Sequence, residues 1–280
     1  MKAMASEHTL RDLCAAFEVS RSGYYAWASR QPGRRARANA LLAVQIQEVY
    51  DQNDHNYGSP RVTRQLRQEG YTCTRKRVER LMRQQGLRGR QQKPFKVITT
   101  DSHHDQPIAP NRLKELQISA PNQAWAADIT YVPTAEGWLY VAGVLDLFSR
   151  KLVGWAMEAH LESSLTLKAL QMAIQQRRPG AGLVHHSDRG VQYASADFRQ
   201  RLQDHGIQAS MSRKACCYDN AAMESFWSSL KNELVHRCAY QTRAQARQSI
   251  FEWIEVYYNR VRLHSSLDYK SPVDFENQLN

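Results

Sequence analysis

The sequence has few of the features that mark secreted, disulfide-rich or membrane-spanning proteins. It contains no run of 18 apolar residues and no N-terminal signal peptide. Its cysteines number only five among 280 residues, and they lack the paired spacing of a zinc site or a disulfide framework. These absences exclude an integral membrane protein and a secreted disulfide scaffold. They predict a reduced, cytoplasmic protein with no membrane partner and no zinc.

Acidic residues are scarce in the first third of the chain. The whole sequence carries 38 Lys and Arg against 27 Asp and Glu, a formal net charge of +11. Residues 1–100 hold 19 basic and 8 acidic residues, so this third accounts for the whole net charge. A positive excess confined to one part of a chain is typical of a nucleic-acid-binding region. A solvated basic surface without such a partner is the alternative.

Two helix-turn-helix patterns lie in this basic third. Residues 10–30 predict a helix, a turn and a second helix that Ser20 caps. Farther along, Ser59 is an N-cap candidate followed directly by a proline, and Gly70 is placed to end that helix. Thr74 then caps the next helix. The region therefore predicts helix pairs of the kind that bind DNA.

The helix after Thr74 has two different faces. Val78, Leu81 and Met82 form its apolar side, and basic residues cover the opposite side. Such a helix can enter a groove of DNA, and the alternative is a small helical domain with a solvated charged face. The residues expected to contact DNA in this region are Arg64, Arg75, Lys76, Arg77, Arg80 and Arg83.

Residues 91–120 are predicted to be a linker, because they are polar, lack a clear period and include three prolines. They separate a helix-turn-helix DNA-binding region over residues 1–90 from a core over residues 121–280 that ends in a helical segment. The core pattern is three strands, helix, strand, helix, strand, helix. This order predicts an α/β, RNase H-like fold: a mixed five-stranded sheet with flanking helices, preceded by an all-α helix-turn-helix region.

Three acidic residues lie where that fold can direct them at one site. Asp128 opens a predicted strand, Asp188 ends one, and Glu224 lies in the first turns of a helix. The intervals between them are 59 and 35 residues. Converging carboxylates repel one another unless hard cations lie between them, and Mg²⁺ prefers oxygen ligands. Two such ions, about 4 Å apart, can stabilise the attacking and leaving oxygens of a phosphodiester displacement.

Four motifs carry a family resemblance. They are W-x-x-D-I-T-Y around Asp128, H-S-D-R-G-x-Q-Y around Asp188, C-Y-D-N-A-x-x-E-S-F around Glu224, and Y-N-x-x-R-x-H-S-S-L-x-Y-x-S-P near the C-terminus. With these motifs in order, from about residue 9 to residue 275, the chain resembles the OrfB transposases of the insertion-sequence-three family, which are related to retroviral integrases. One departure is that Ala215-Cys216 stands where the family commonly has Gly-Asn.

The resemblance implies a DNA transposase whose catalytic and metal-binding triad is Asp128, Asp188 and Glu224. It also implies two Mg²⁺ ions, for which Mn²⁺ can substitute, and a DNA contact by Lys231, seven residues after Glu224. The expected reaction frees a 3′-OH at an element end and joins it to another phosphodiester. In this family the first attack falls on the same strand beyond the opposite end and gives a circular intermediate.

The resemblance also implies partners. Double-stranded DNA is expected at the terminal repeats and at the target site, and the protein is then associated with the bacterial nucleoid. We expect a homodimer or higher oligomer on paired ends, because two ends must be joined. An OrfA-type protein or a frameshift fusion can supply further DNA-binding elements.

Some functional questions stay open at this level. The C-terminal residues Tyr257, Tyr258, Asn259, Arg262 and His264 either line DNA, with Arg262 as the expected contact, or pack the last helix onto the sheet. Two other functions compete with transposition: a hydrolytic RNase H-like nuclease, and a non-catalytic DNA-binding regulator or decayed transposase. An intact triad argues against the second. The residues expected to be structural are His185, His186, Asp146 and Asp219.

Overall fold

A computed structural model describes residue 4 and residues 6–90, 106–212 and 220–279. The chain divides into two compact units, Met1–Gly89 and Arg90–Asn280. The first half of the predicted linker lies outside the described residues, so the predicted linker boundaries stay a prediction. Within the described ranges, no helix is long and apolar enough to cross a membrane.

The first unit is helical, and its helix ends follow local capping chemistry. Its helices are α1 (Leu10–Ala16), α2 (Arg21–Ala28), α3 (Arg34–Gln52), α4 (Ser59–Gln68) and α5 (Arg75–Gln84). The hydroxyls of Ser20 and Thr74 cap α2 and α5, as predicted. Gly58, not Ser59, is the N-cap of α4, because Ser59 already lies in the first turn. Gly70 follows α4 with a φ of +91°, a conformation that glycine adopts without strain.

The core of the first unit joins α3, α4 and α5. Ile46 of α3, Val62 and Leu66 of α4, and Val78 and Leu81 of α5 are all buried. The predicted apolar side of α5 therefore faces the protein. Its basic residues are left on the other side of the helix, where a ligand can reach them.

The second unit is built on one mixed five-stranded sheet. Its strands are β1 (Ala124–Thr134), β2 (Gly137–Asp146), β3 (Leu152–Glu158), β4 (Val184–Ser187) and β5 (Gln208–Met211). They are arranged in the order β3-β2-β1-β4-β5. The pairs β1–β2 and β2–β3 are antiparallel, and the pairs β1–β4 and β4–β5 are parallel. With helices on both faces, this is the RNase H-like fold that the sequence predicts.

Helices cover both faces of this sheet. They are α6 (Ser163–Arg177), α7 (Val191–Ala194), α8 (Ala196–Asp204), α9 (Ala221–Glu233), α10 (Arg243–Glu252) and α11 (Pro272–Asn277), and a π-helical segment, Trp253–Tyr258, extends α10. One core packs α6 and α8 against the face that includes Trp125 and Ala127. The other packs α9 and α10 against the face that includes Ala126 and Val132.

Strand β1 begins four residues before Asp128, so Asp128 lies inside the strand and does not open it. The residues Ala124–Ala127 are all buried, and both faces of the sheet are covered there. A strand buried on both faces has no polar residues at alternate positions. The alternating pattern therefore marks only the later part of β1, where one face is open.

The C-terminal segment packs into the core beneath α9 and α10. Its motif therefore packs the end of the chain onto the sheet and does not line DNA. Tyr258, Asn259 and His264 are buried. The Asn259 side chain accepts a hydrogen bond from the Leu152 N–H at 3.0 Å and donates one to the Leu152 carbonyl at 3.1 Å. The motif therefore attaches the end of the chain to β3.

This packing corrects the prediction that Arg262 contacts DNA. Its guanidinium donates from Nε and Nη2 to the Glu233 carboxylate, with the shortest distance 2.6 Å, and to the Ser229 hydroxyl at 3.1 Å. Arg262 and Glu233 are both buried, and the guanidinium carbon lies 5.8 Å from the Tyr258 ring centroid. The expected DNA contact of Arg262 is therefore wrong: its charge is already paired inside the protein.

This ion pair gives a stability prediction. Replacing Arg262 with Met should lower the free energy of unfolding by about 3–5 kcal/mol, because Glu233 is left as an uncompensated buried charge. Adding Glu233→Gln to Arg262→Met should recover part of that loss. Urea unfolding followed by tryptophan fluorescence measures both. The matched control is Arg260→Met at an exposed neighbouring arginine, and an equal loss in both single variants would contradict the buried ion pair.

Candidate active site

The register of the sheet brings Asp128 and Asp188 together. Strand β1 pairs in parallel with β4 as far as Ala126 opposite His186. Strand β4 ends at Ser187, whereas β1 continues. Two residues beyond the last pair, Asp128 on β1 and Asp188 after β4 occupy neighbouring positions. A cleft opens there because β1 no longer has a strand beside it on the β4 side.

Local hydrogen bonds fix the turn that carries Asp188. The backbone N–H of Gly190 donates to the Asp188 Oδ1 at 2.9 Å, which closes a tight turn. The Arg189 Nε donates to the Ser212 carbonyl at 2.8 Å, and this bond attaches the turn to the end of β5. Helix α7 begins directly afterwards at Val191. The position of Asp188 is therefore set by two neighbouring elements of the sheet.

Both aspartates line a cleft with a volume of about 340 Å³. The carboxylates stand at one side of it, and most of the remaining lining is apolar or aromatic. The full lining consists of Asp128, Ile129, Tyr131, Trp138, Tyr140, Leu161, Asp188, Gly190, Gln192 and Tyr193.

The surroundings of Asp128 favour its protonated form. Burial, and then the negative charge of Asp188, raise the pKa of Asp128 to about 8, although part of its side chain still reaches solvent. The backbone N–H of Ile129 and the indole of Trp227 lower this pKa, and Glu224 raises it by a smaller amount. Two carboxylates therefore share this site, and the charge of Asp188 disfavours ionisation of Asp128, which is an electrostatic condition that a cation relieves.

Trp227 contributes to the site in a way that the sequence reasoning missed. Its ring lies across Gly143, the residue paired with Asp128 on the neighbouring strand. A Cβ at Gly143 would come within 3.0 Å of the Trp227 Cη2. A glycine inside a strand often marks such a close approach, so Gly143, in the interior of β2, was the available signal.

Glu224 lies at the rim of the cleft. It is exposed on the first turn of α9 and does not line the cleft, although its charge reaches Asp128. Across the described ranges, no three acidic, His or Cys side chains are close enough to hold a metal ion together. The helix starts after Asn220, whose side chain makes no capping hydrogen bond. Residues 213–219, with Ala215-Cys216 and Asp219, lie outside the described residues.

Lys231 is the basic residue that the sequence predicts near the two aspartates. It lies two turns after Glu224 on α9, and its Nζ is 5.1 Å from the centroid of the Tyr131 ring. Burial lowers the pKa of Lys231, and the charge of Asp128 opposes that effect. The predicted basic residue is thus close enough to Asp128 to interact with it electrostatically.

Other titratable residues near the site are structural. His185 packs against the rings of Tyr193 and Phe198, and burial followed by repulsion from His186 lowers the pKa of His185 to about 3. The His186 Nδ1 is hydrogen-bonded to the Ser210 hydroxyl at 2.8 Å. Asp146 is fully buried and accepts hydrogen bonds from the backbone N–H groups of residues 122, 148 and 149. The structural interpretation of these residues is confirmed.

The basic side of α5 has four exposed side chains, those of Arg75, Lys76, Arg80 and Arg83. Arg77 instead donates to the Asn39 side chain of α3 at 2.9 Å, and Arg83 lies 3.4 Å from Glu79 on the same helix. Arg64 is half-buried on α4. The six expected DNA contacts therefore differ in how much of their charge is turned outward.

The raised pKa of Asp128 predicts a pH-dependent stability in metal-free buffer. Between about pH 4 and pH 8 the folded protein holds a proton on Asp128 that the unfolded chain has released. The stability of the wild type should therefore fall as pH rises through this range. Because Asp128→Asn cannot titrate, its free energy of unfolding minus that of the wild type should increase up to about pH 8 and then level off.

Urea unfolding in EDTA at several pH values checks this expectation. Asp204→Asn is the matched control, because Asp204 is exposed at the end of α8. Its difference from the wild type should stay constant with pH. A constant difference for Asp128→Asn as well would show that Asp128 has an ordinary pKa.

Models of known protein families agree with this architecture. An integrase core domain matches residues 118–217, an HTH-like domain matches residues 36–95, and a second integrase core domain matches residues 205–272. Among solved structures, a chain of the simian T-cell lymphotropic virus intasome, in complex with PP2A regulatory subunit B56 gamma, is 14% identical with a TM-score of 0.49. It covers 82% of this chain and 74% of that chain. The HTLV-2 integrase catalytic core domain in complex with magnesium is 16% identical with a TM-score of 0.42, over 56% of this chain and 97% of that one.

Sequence relatives extend over nearly the whole chain. The insertion element IS600 uncharacterized 31 kDa protein of Shigella sonnei is 43% identical, over 96% of this chain and 98% of that protein. The transposase InsF for insertion sequence IS3A of Escherichia coli K12 is 40% identical, over 98% of this chain and 96% of that protein. With its integrase core and helix-turn-helix region, the chain belongs to the insertion-sequence-three (IS3) family of DNA transposases, and it is a polynucleotidyl transferase.

Proposed function

We propose that the chain cleaves the ends of its insertion sequence and joins the freed 3′-OH to a second phosphodiester, with Asp128, Asp188 and Glu224 as the catalytic residues. The observation that carries this proposal is the pair of carboxylates at the open edge of β1, where Asp128 has a pKa raised to about 8. An acidic residue in a cleft whose pKa is strongly raised by burial and a neighbouring charge is a candidate functional residue.

The donor set fits a hard divalent cation. Asp128, Asp188 and Glu224 offer oxygen atoms alone, which Mg²⁺ prefers and Mn²⁺ accepts. We propose two such ions as the resident cofactor, and they would supply charge neutralisation and polarisation at the reacting phosphate. A cation between the aspartates would reverse the effect of Asp188 on the Asp128 pKa and keep both carboxylates ionised.

The protein residues then have separate roles in two displacements at phosphorus. In the first, water forms a bond to phosphorus and the 3′-oxygen leaves. In the second, that 3′-OH attacks another phosphodiester and displaces its 3′-oxygen in turn. Asp128 and Asp188, with Glu224 from α9, would hold the cations, which would supply charge neutralisation at the reacting phosphate. Lys231 neutralises a neighbouring backbone phosphate.

This assignment predicts the effect of one neutral, isosteric change. Asp188→Asn should abolish both cleavage and strand transfer on duplex ends of the element that encodes the chain, while DNA binding is retained. It should also remove the increase in melting temperature that Mg²⁺ gives the wild type. The control Asp204→Asn should keep activity and metal response, whereas substantial joining by Asp188→Asn would overturn the assignment. A wild type that cuts but never joins a pre-cleaved end would be a nuclease.

We propose that the first unit supplies most of the DNA affinity, because residues 1–89 hold 16 basic and 8 acidic residues, a net charge of +8 out of the total of +11. The log of the binding constant should fall with log salt by about 0.9 for each phosphate neutralised. Changing Arg75, Lys76 and Arg80 to Gln should therefore flatten the slope measured by fluorescence anisotropy. The control changes Arg34, Arg35 and Arg37 to Gln, which removes the same charge from the start of α3. If this control flattens the salt slope equally, α5 has no special role in DNA binding.

We propose that at least two copies act on paired ends, because one carboxylate site serves one end at a time. A Glu224→Gln subunit mixed with a subunit lacking the α5 charges should recover joining if one copy binds an end that the other cuts. Native mass measurement of the DNA complex gives the number of chains. Joining by a complex that contains a single chain would contradict this proposal.

A further inference from the structure

The cleft beside the aspartates has an apolar wall that phosphate chemistry does not explain. The wall consists of Ile129, Tyr131, Trp138, Tyr140 and Leu161. Trp138 is 48% exposed and Leu161 is 38% exposed. A phosphodiester carries one negative charge and gains little from uncharged aromatic surface. The wall must therefore contact another part of the substrate.

Two aromatic rings on this wall have a defined geometry. Tyr131 of β1 and Trp138 of β2 are diagonal neighbours on adjacent strands. Their ring centroids are 4.7 Å apart and their planes meet at 79°, an edge-to-face contact. Lys231 already lies over the Tyr131 ring. The aromatic surface that remains open beside the carboxylates is thus mainly that of Trp138.

The size of the cleft limits what can lie against Trp138. A volume of about 340 Å³ is at the lower end of small-molecule pockets, so it accommodates a single nucleobase with its sugar and excludes a base-paired duplex. In an intact duplex both faces of each base are covered by stacking. Only a base that has left the stack offers a free π-face to a protein aromatic ring.

We propose that Trp138, supported at its edge by Tyr131, stacks on one base that leaves the duplex next to the scissile phosphate. The inference rests on the proposed function, because it requires that phosphate to lie at Asp128 and Asp188. Holding the base outside the duplex would bring the scissile phosphate down to the carboxylates. Because every base has a π-face, this contact tolerates any sequence and favours ends whose terminal base pairs open easily.

Single-turnover cleavage of duplex ends by the full chain tests this role. The variants are Trp138→Ala, which removes the ring, and Trp138→Phe, which keeps a smaller one. The matched control is Phe251→Ala on α10, because Phe251 is 46% exposed and makes its own edge-to-face contact, with Trp155 at 5.8 Å. Each protein is assayed on intact ends and on ends with an abasic nucleotide at each position flanking the scissile phosphate.

We expect Trp138→Ala to slow cleavage of intact ends by about tenfold or more, in line with the effect of losing one base–aromatic stack. Trp138→Phe should recover most of the rate, and Phe251→Ala should match the wild type. On the abasic end that lacks the stacked base, the wild type and Trp138→Ala should cleave at equal rates. Circular dichroism melting verifies that each variant folds.

Other outcomes separate this inference from the proposed function. Equal rates for the wild type and Trp138→Ala on intact ends, with Asp188→Asn inactive, would overturn the stacking role and leave the catalytic assignment standing. A Trp138→Ala defect of the same size on every abasic end would also overturn it, because no single base would then be involved. A wild type that cleaves no end at all would contradict both the stacking role and the proposed catalytic function.

Discussion

The parallel pairing of β1 with β4 is the constraint on which the candidate site depends. Strand β4 has only four residues, and β1 has eleven. The shorter strand ends one residue before Asp188, and the longer strand carries Asp128 to the same level. The backbone ladder therefore holds two carboxylates side by side. Burial of Asp128, and then the charge of Asp188 that the ladder places beside it, raises the pKa of Asp128.

Helix α9 is fixed at one end more firmly than at the other. Its middle rests on the sheet through Trp227 over Gly143, and its C-terminal end is held by the Glu233–Arg262 pair. Glu224 lies on the exposed first turn. The interior side chains thus set the position and rotation of the helix, while the Glu224 carboxylate stays at the surface. A ligand at the cleft can meet that carboxylate without disturbing the buried side of α9.

Much of this arrangement can be predicted from the sequence because local patterns determine it. The alternation after Asp128 and the turn after Asp188 follow from short-range periodicity and turn chemistry. The role of Arg262 was not predictable in this way, because its partner Glu233 lies 29 residues away and both look like surface charges in the sequence. The depth of the apolar cleft, with Trp138 on its wall, likewise depends on which strand lies beside which. Which strands pair across the sheet is a tertiary property, and sequence periodicity alone does not predict it.

The Asn259 side chain has a consequence for how copies of this protein can meet. Strand β3 lies at the outer edge of the sheet, where unpaired peptide groups would offer a template for another strand. By bonding both the N–H and the carbonyl of Leu152, the amide of Asn259 imitates one peptide unit of a sixth strand. That edge is therefore closed to sheet extension at this point. A strand from another copy would have to pair farther along β3 or at β5, the opposite edge of the sheet.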